Sequence, residues 1–289
     1  AGANLGVDVG NVNLANGSSL SLISNNKITQ TGTIASAVNT NGSASAILFD
    51  ATTGSNASAV TIGTLTVAAA TSTSDINLLV KSKGSSITAS GPLATAANPL
   101  PGTITFDNTN GGAITQATAV AGVGLTFNGG GVFGAKGIAL TGVSNNNYAV
   151  TSNQVMTSSL GAVTLAGTTV TTGNLWGVNA TGTITGKSIT VTATNNTTGT
   201  LTAGGAVNLG ALTILAGGTD LLVTGNNSNQ AARGIVAGAI ISNVIGGNLS
   251  LVANNDLTAG TVGAEADAAG NLHGTDVSYS FGRSEERRV

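Results

Sequence analysis

The stretch SITVTATNN, at positions 188–196, alternates Ser or Thr with Ile, Val or Ala and ends in two Asn residues. A period of two is typical of a β-strand with aliphatic side chains on its buried face and hydroxyl side chains outward. Seven further runs repeat the pattern: SLSLISNN (19–26), TLTVAAA (64–70), TITFDNTNG (103–111), GLTFNGGG (124–131), AVTLAG (162–167), ALTILAGG (211–218) and NLSLVANND (248–256). Repetition of one strand pattern predicts a solenoid.

The spacing of these runs predicts the length of one coil. The second inward residue of each run serves as a marker: Leu22, Val67, Phe106, Phe127, Leu165, Val191, Ile214 and Leu251. From Phe106 onward the successive gaps in numbering are 21, 38, 26, 23 and 37. Because the long gaps are close to twice ~19, we expect coils of roughly 19 to 26 residues with three short strands each. The prediction is an all-β, right-handed parallel β-helix over residues 1–282, with about twelve coils and a length of roughly 60 Å.

The composition fits a thin, stacked core. The chain has 289 residues, 43 of them Gly, with 41% hydrophobic, 7% charged and 3% aromatic residues, and no Cys. The lack of Cys excludes disulfides and thiolate metal sites. The net charge of only −2 is compatible with a buried core, and no nucleic-acid partner is predicted. The longest apolar run, GIVAGAII (234–241), is shorter than the ~20 residues of a membrane-spanning helix, so a buried strand pair or corner is expected.

Asn, Gly and Pro mark the corners between strands. Asn and Gly tolerate the backbone angles of sharp turns, and equivalent corners stack in a solenoid. Partial ladders are therefore expected from Asn25, Asn26, Asn195, Asn196, Asn226, Asn227, Asn254 and Asn255. The three Pro residues all lie in GPLATAANPLP (91–101). Since Pro cannot donate a ladder hydrogen bond, this stretch is predicted to be a loop outside the coil.

Two repeats carry a family resemblance. GGNLSLVANNDLTAG (246–260) and GKSITVTATNNTTGTLTAGGAVNL (186–209) resemble the repeats of filamentous-haemagglutinin-like exoproteins of two-partner secretion systems, and are similar to those of autotransporter passengers. The likeness covers most of residues 1–282. It implies a secreted bacterial surface protein that an outer-membrane transporter exports.

The acidic residues are scattered. For Asp50, Asp107, Asp220 and Asp256 we predict a turn-forming role. The only dense group is Glu265, Asp267, His273 and Asp276, whose spacing would suit a metal ion, but a polar loop is the preferred interpretation. In NGGGVFGAKG (128–137) the glycines before Lys136 are interpreted as corner residues, because no GK[ST] ending follows. No catalytic, cofactor-binding or metal-binding residue, and no cofactor, is predicted.

Two surface features suggest binding. Threonine rows in TITGKSITVTAT (183–194) and TGTLTAGG (198–205) would order water and bind ice if they were flat. Because the coil length varies, we expect such rows to fall out of register. Trp176 and Tyr148 would suit a sugar patch, but core or cap packing is the preferred interpretation.

The segment 283–289, RSEERRV, holds five of the 20 charges of the chain. A solvated tail or a nucleic-acid-binding patch would explain such a charge run, but the segment resembles a translated sequencing adapter, so we expect a non-native tail and a natural protein that continues past Gly282. The predicted function is a structural stalk or adhesin segment, secreted or at the bacterial cell surface, that contacts a glycan, a host cell or a neighbouring cell. Alternatives are a polysaccharide lyase or hydrolase and an ice-binding solenoid. End-to-end self-association is also expected.

Overall fold

The chain forms a parallel β-solenoid built from three columns of strands. The computed structural model describes residues 6–53, 58–68, 72–109, 124–145, 147–170, 176–196, 204–228, 233–243, 248–254, 257–259, 262–264 and 276–281. For residues 233, 258–259, 262–264 and 276–281 it describes the backbone alone. The described residues contain no apolar helix of membrane-spanning length.

The first column, sheet A, has ten short strands in successive coils. They are β1 (Val7–Val9), β4 (Ile28–Gln30), β7 (Val60–Ile62), β10 (Ile87–Ala89), β12 (Leu125–Phe127), β15 (Val150–Ser152), β18 (Trp176–Ala180), β21 (Gly205–Leu209), β24 (Arg233–Ala237) and β27 (Leu257–Ala259). Most of these strands have three residues, so only one side chain of each points outward.

The second column, sheet B, consists of a three-stranded and a six-stranded part. Single β-bridges from Leu93 to Leu65 and to Val132 connect the two parts. The strands are β2 (Val12–Leu14), β5 (Thr33–Ser36), β8 (Thr64–Val67), β13 (Val132–Phe133), β16 (Met156–Thr157), β19 (Ile184–Gly186), β22 (Leu212–Ile214), β25 (Ile240–Ser242) and β28 (Val262–Ala264).

The third column, sheet C, has ten longer strands. They are β3 (Leu20–Ile23), β6 (Ser45–Ala51), β9 (Ile76–Ser82), β11 (Thr103–Asp107), β14 (Gly137–Ser144), β17 (Ala162–Thr169), β20 (Ser188–Asn195), β23 (Leu221–Asn227), β26 (Asn248–Ala253) and β29 (Asp276–Phe281). At ~4.8 Å per strand, ten strands give a column of about 45 Å, shorter than the twelve coils expected from the sequence.

The core lies inside the coils, as the alternating pattern predicts. Buried markers are Phe106, Phe127, Val191, Ile214 and Leu251, and the intervening Thr190, Thr213 and Ser250 are on the outer face. Leu22 is only half-buried, because β3 is the terminal strand of sheet C. The predicted all-β fold and strand orientation are therefore confirmed.

The predicted coil length is too short. In sheet C, Leu140 pairs with Leu165, a step that agrees with the prediction. Phe106 pairs with Leu140 and Val191 with Val223, and both of these steps are longer than any coil expected from the sequence. The cause is that successive markers lie on different columns: Phe106 belongs to sheet C and Phe127 to sheet A. Their rings meet edge to face across the core, with centroids 5.0 Å apart.

Variation in coil length is confined to two of the three corners. Between one and four residues separate each sheet A strand from the sheet B strand or bridge that follows it. The B–C corner consists of Lys187 alone after β19 but spans residues 37–44 after β5. The C–A corner spans residues 254–256 after β26 and residues 108–124 after β11. Sheets A and B therefore follow each other closely in every coil.

Glycines make the A–B corner tight. A Cβ on Gly210 would lie 2.3 Å from the carbonyl oxygen of Thr181 in the preceding coil, and one on Gly129 would lie 2.2 Å from that of Ser90. Both distances are far below van der Waals contact, so the coils can approach this closely only without a side chain.

A buried polar column runs along the end of sheet C, where ladders were predicted. Its members are Ser82, Asn108, Ser144, Thr169, Asn195 and Asn227. Thr169 donates its hydroxyl to Asn195 Oδ1 at 2.9 Å, and Asn254 exchanges two hydrogen bonds with the Asn227 backbone at 2.8 Å. The ladder prediction is thus confirmed for Asn195, Asn227 and Asn254. It stays a prediction for Asn25, Asn26, Asn196 and Asn226, and Asn255 lies outside the described residues.

The Pro stretch is not a loop thrown out from the coil. Leu93 and Leu100 are fully buried, and both form bridges to the next coil. Pro92 and Leu93 keep the ladder because the Pro92 carbonyl accepts from Leu65 N at 2.9 Å. A proline removes only the donor, so its acceptor still takes part in pairing. Only residues 95–97 are exposed.

Two further predictions concern the C-terminal part. The apolar run 234–241 forms the end of β24, an A–B corner and the start of β25, so the expected strand pair is confirmed. Residues 283–289 lie outside the described residues, and the prediction that they are a non-native tail stays a prediction.

Candidate functional site

A groove of about 380 Å³ opens at the B–C corners of four successive coils. This corner groove is lined by Val67, Ala68, Ser72, Thr73, Ser74, Asp75, Asn98, Pro99, Pro101, Ala135, Lys136, Ser159 and Leu160. Its volume lies within the range of small-ligand clefts, about 300–1,000 Å³. The groove exists because the corner loops differ in length, so long loops form walls beside a short corner.

A buried amide positions the wall that carries Asp75. Asn39 is fully buried, and its backbone carbonyl accepts hydrogen bonds from Thr73 N and Ser74 N at 3.0 Å. Its Nδ2 donates to the Asp75 carbonyl at 2.9 Å, and its backbone N donates to the Ser72 hydroxyl at 2.7 Å. A buried group with all these partners holds the loop in one conformation.

One ion pair lies in the groove. Lys136 Nζ is 2.6 Å from Asp75 Oδ1, with the two side chains 52% and 32% exposed. Around the pair are hydroxyls of Ser72, Thr73 and Ser159, and apolar surface from residues such as Leu160, which is 68% exposed. The groove therefore offers one acid, one base, several hydroxyls and an apolar edge to a ligand that approaches from solvent.

A second arrangement, of three charged side chains, was not predicted from the sequence. On the outer face of sheet C, Lys81 pairs in register with Asp50 on one side and with Asp107 on the other. We name these three residues the carboxylate row. Two strand spacings put the two Asp Cα atoms about 10 Å apart. Because the acids lie far apart in the sequence, on either side of coils of unequal length, only knowledge of the coil lengths could have aligned them.

Both carboxylates of the row also form turns, as predicted. Asp50 Oδ1 accepts from Thr52 N at 2.9 Å and from the Thr52 hydroxyl. Asp107 makes the same pair of bonds to Thr109, at 2.7 and 2.6 Å. Asp220 acts between coils, since its Oδ1 accepts from Asn248 N and Nδ2. The turn role predicted for Asp50 and Asp107 is confirmed, and Asp256 lies outside the described residues.

Outward threonines stay in register on sheet A, contrary to the expectation from the sequence. Thr61 pairs with Thr29 and with Thr88, and Thr126 pairs with Thr88 and with Thr151. The expectation failed because the extra residues of long coils are accommodated at the two corners beside sheet C.

The sheet A threonines lie outside the two threonine-rich stretches, 183–194 and 198–205, that suggest ice binding in the sequence. The stretch 183–194 forms β19 and most of β20, in sheets B and C, and residues 198–203 lie outside the described residues. A shallow trough of about 180 Å³ follows the sheet A threonines, lined by Phe127, Asn128, Thr151, Ser152, Asn153, Asn179 and Thr181.

The remaining candidate residues do not form a site in the described part of the chain. Glu265, Asp267 and His273 lie outside it, and Asp276 is described only as a backbone position in β29. Trp176 and Tyr148 are half-buried on different coils. Within the described residues there is no group of three or more potential metal ligands.

Comparisons of the chain with protein-family models, with curated protein sequences and with solved structures gave no match.

Proposed function

We propose that the chain is a rigid stalk segment of a secreted bacterial surface protein, and that its corner groove contacts a ligand as part of adhesion. The observation that carries the proposal is the continuous parallel pairing of ten strands in sheet C. Such a column transmits force along hydrogen bonds between every pair of neighbouring coils, which suits a spacer. The resemblance of residues 186–209 and 246–260 to repeats of exported exoproteins supports the same function.

The stalk holds ligand-contacting loops on one edge. Variable loops on a rigid scaffold are where binding residues concentrate, and the corner groove is formed by loops of unequal length. The ligand that we propose is a glycan or another component of a host or neighbouring cell surface. Hydroxyl and amide groups beside one acid and one base suit a polar ligand with limited charge.

The adhesion test compares two charge reversals. Beads coated with the chain are tested against a glycan array and against host and bacterial cells, with Lys136→Glu in the groove and Lys27→Glu on the exposed surface as variants. We expect binding by the parent and by Lys27→Glu, and loss of binding by Lys136→Glu. Equal loss in both variants, or no binding by the parent, would contradict the proposal.

Export by an outer-membrane transporter belongs to the same proposal. The DNA beside the coding region tests it, because two-partner systems pair the exoprotein with a transporter gene and autotransporters carry a barrel-coding segment downstream. Neighbouring genes of an unrelated export route would contradict this part.

End-to-end association of this 289-residue chain is proposed from the first described coil, which contains β1 to β3. Its inward residues Val7, Val12, Leu14, Leu20 and Leu22 are only partly buried, and terminal strands have unpaired backbone groups. Light scattering over a range of concentrations should show linear oligomers. A monomer at all concentrations would contradict the proposal.

A second candidate function, polysaccharide cleavage, is favoured by the carboxylate row. The Cα atoms of Asp50 and Asp107 are about 10 Å apart, and both side chains are on the same face, so their carboxyl groups can approach the separation found in inverting glycosidases, about 6.5–9.5 Å. The turn bonds to Thr52 and Thr109 and the position outside the corner groove favour the stalk. Incubation with pectins and xylans tests this candidate, with Asp107→Asn as the variant. Release of reducing ends or unsaturated sugars that Asp107→Asn abolishes would replace the stalk by an enzyme.

A further inference from the structure

One uncharged row extends along the outer face of sheet A. The five coils from β4 to β15 each place a threonine at the single outward position of the strand, and the next two coils place an asparagine there. The row consists of Thr29, Thr61, Thr88, Thr126, Thr151, Asn179 and Asn208, paired in register from each coil to the next. We name the five threonines the threonine row.

The hydroxyls of this row face solvent with little competition from the protein. Among the hydrogen bonds between described residues, none involves the hydroxyl of Thr29, Thr61, Thr88 or Thr126. Thr151 accepts one long bond of 3.4 Å from Asn179. Each hydroxyl can therefore donate to one water molecule and accept from others.

The threonine row repeats at a fixed interval, and a second set of polar residues lies beside it. Neighbouring strands are about 4.8 Å apart, so hydroxyl and methyl groups recur at that interval. In five of the seven coils an exposed polar residue lies two positions further along the chain, namely Thr31, Ser90, Asn128, Asn153 and Thr181, whereas the coils of β7 and β21 have Gly63 and Gly210 there. The trough runs between the two sets at one end of the face. Waters held there by amide and hydroxyl groups would repeat with the same interval as the coils.

We infer that this face of sheet A binds the surface of ice crystals through the threonine row. A strictly repeating array of hydroxyls and methyls holds water in a lattice-like layer, and its interval is close to the spacing of oxygen rows on hexagonal ice. A glycan is a poorer match, because Phe127, the one aromatic residue in the trough, is buried. An ionic ligand is a poorer match as well, because the seven residues of the row are uncharged and, in the described part of sheet A, the charged residue in register with them is Asp8, beside Thr29.

The inference is independent of the adhesin proposal, because the corner groove lies at the B–C corner and the threonine row lies on sheet A. The test uses ice-affinity partitioning, in which protein is retained by slowly growing ice, together with the gap between the melting and freezing points. The variants are Thr88→Lys and Thr126→Lys in the row. Thr164→Lys is the control, since Thr164 is an equally half-buried, outward threonine in the middle of sheet C.

We expect the parent and Thr164→Lys to be enriched in ice and to show a gap between the melting and freezing points. Both row variants should lose the enrichment and the gap. Circular dichroism checks that each variant keeps its β-structure. If a lysine variant unfolds, Thr88→Ala serves instead, and it should reduce the gap because it removes one hydroxyl and one methyl.

Three results would overturn the inference. The first is that the parent protein is excluded from ice. The second is that Thr164→Lys loses as much ice retention as the row variants. The third is that Thr88→Lys leaves ice retention unchanged but abolishes retention on a neutral polysaccharide column. That result would assign the row to a glycan.

Discussion

The A–B corner and the B–C corner of the same coil follow opposite rules. After β21, the A–B corner has two residues, and a Cβ on Gly210 would meet the backbone of the preceding coil at 2.3 Å. After β22, the B–C corner has six residues, with Gly217 in the left-handed region and both Ala216 and Gly217 exposed. One corner therefore fixes the stacking of the coils, while the other changes length without disturbing it.

The difference explains how irregular coils keep regular faces. The step along sheet C is short from Leu140 to Leu165 and long from Phe106 to Leu140, yet outward threonines on sheet A remain paired across five coils. Because insertions enter only beside sheet C, the loops there are free to form the walls of the corner groove. The A–B corner thus keeps the coils stacked, whereas the corners beside sheet C vary in length and in side chains.

The largest expected effect comes from lengthening each corner in turn. A Gly-Ser insertion after Gly210 should lower the free energy of unfolding by about 3 kcal/mol or more, because it separates coils that contact through backbone. The same insertion after Ala216 extends an exposed loop and should cost less than about 1 kcal/mol. Urea unfolding measures both variants. Similar losses at the two sites would show that the corners do not differ.

The next effect concerns the buried column at the C–A corner. Asn108 Oδ1 accepts from Val143 N at 2.8 Å, and its Nδ2 donates to the carbonyls of Val143 and Ser85. Asn108→Ala leaves these buried groups without partners and should cost about 2–3 kcal/mol. Asn128→Ala, at an exposed position, is the control and should change stability by less than about 0.5 kcal/mol. Thermal unfolding followed by circular dichroism distinguishes them, and a neutral Asn108→Ala would contradict the role of the column.

The strand pattern was predictable from the sequence because alternation is local. Thr190 and Val191 take opposite faces whatever the length of the coil. Pairing between coils is not local, since it depends on how many residues each corner contains. Phe106 and Phe127 share the same pattern but lie on different columns, and nothing in their neighbours distinguishes a step around the coil from a step along it.

The sites depend on that missing information. Asp50, Lys81 and Asp107 become neighbours only once the unequal lengths of the two coils between their strands are known. The corner groove likewise combines loops from four coils. Burial of Leu93 and Leu100 was missed because the Pro residues beside them suggested a loop, although a proline carbonyl can still accept from the ladder.

A smaller effect is expected from adding one methyl group at an A–B glycine. Gly210→Ala should destabilise the chain by about 1–3 kcal/mol, because backbone of the preceding coil must move to accept a Cβ. In Gly137→Ala the new Cβ would be 3.5 Å from its nearest neighbour, an ordinary contact, so this control should be close to neutral. Chemical denaturation provides the comparison. A neutral Gly210→Ala would show that the A–B corner yields easily and that its shortness does not fix the stacking.

The smallest effect is expected at the B–C corner, in the ion pair of the groove. Lys136 and Asp75 are 52% and 32% exposed, and exposed pairs contribute about 0–1 kcal/mol because water screens them. A double-mutant cycle with Lys136→Met and Asp75→Asn should give a coupling energy of about 0.5 kcal/mol that vanishes in 1 M salt, where the Debye length is about 3 Å.

The loop that carries Asp75 should stay in place in these variants, because Asn39 binds its backbone and not the Asp75 carboxylate. A coupling above about 2 kcal/mol would mean that the pair is shielded from solvent. The groove would then be closed to ligands, and the B–C corner would stabilise the fold as the A–B corner does.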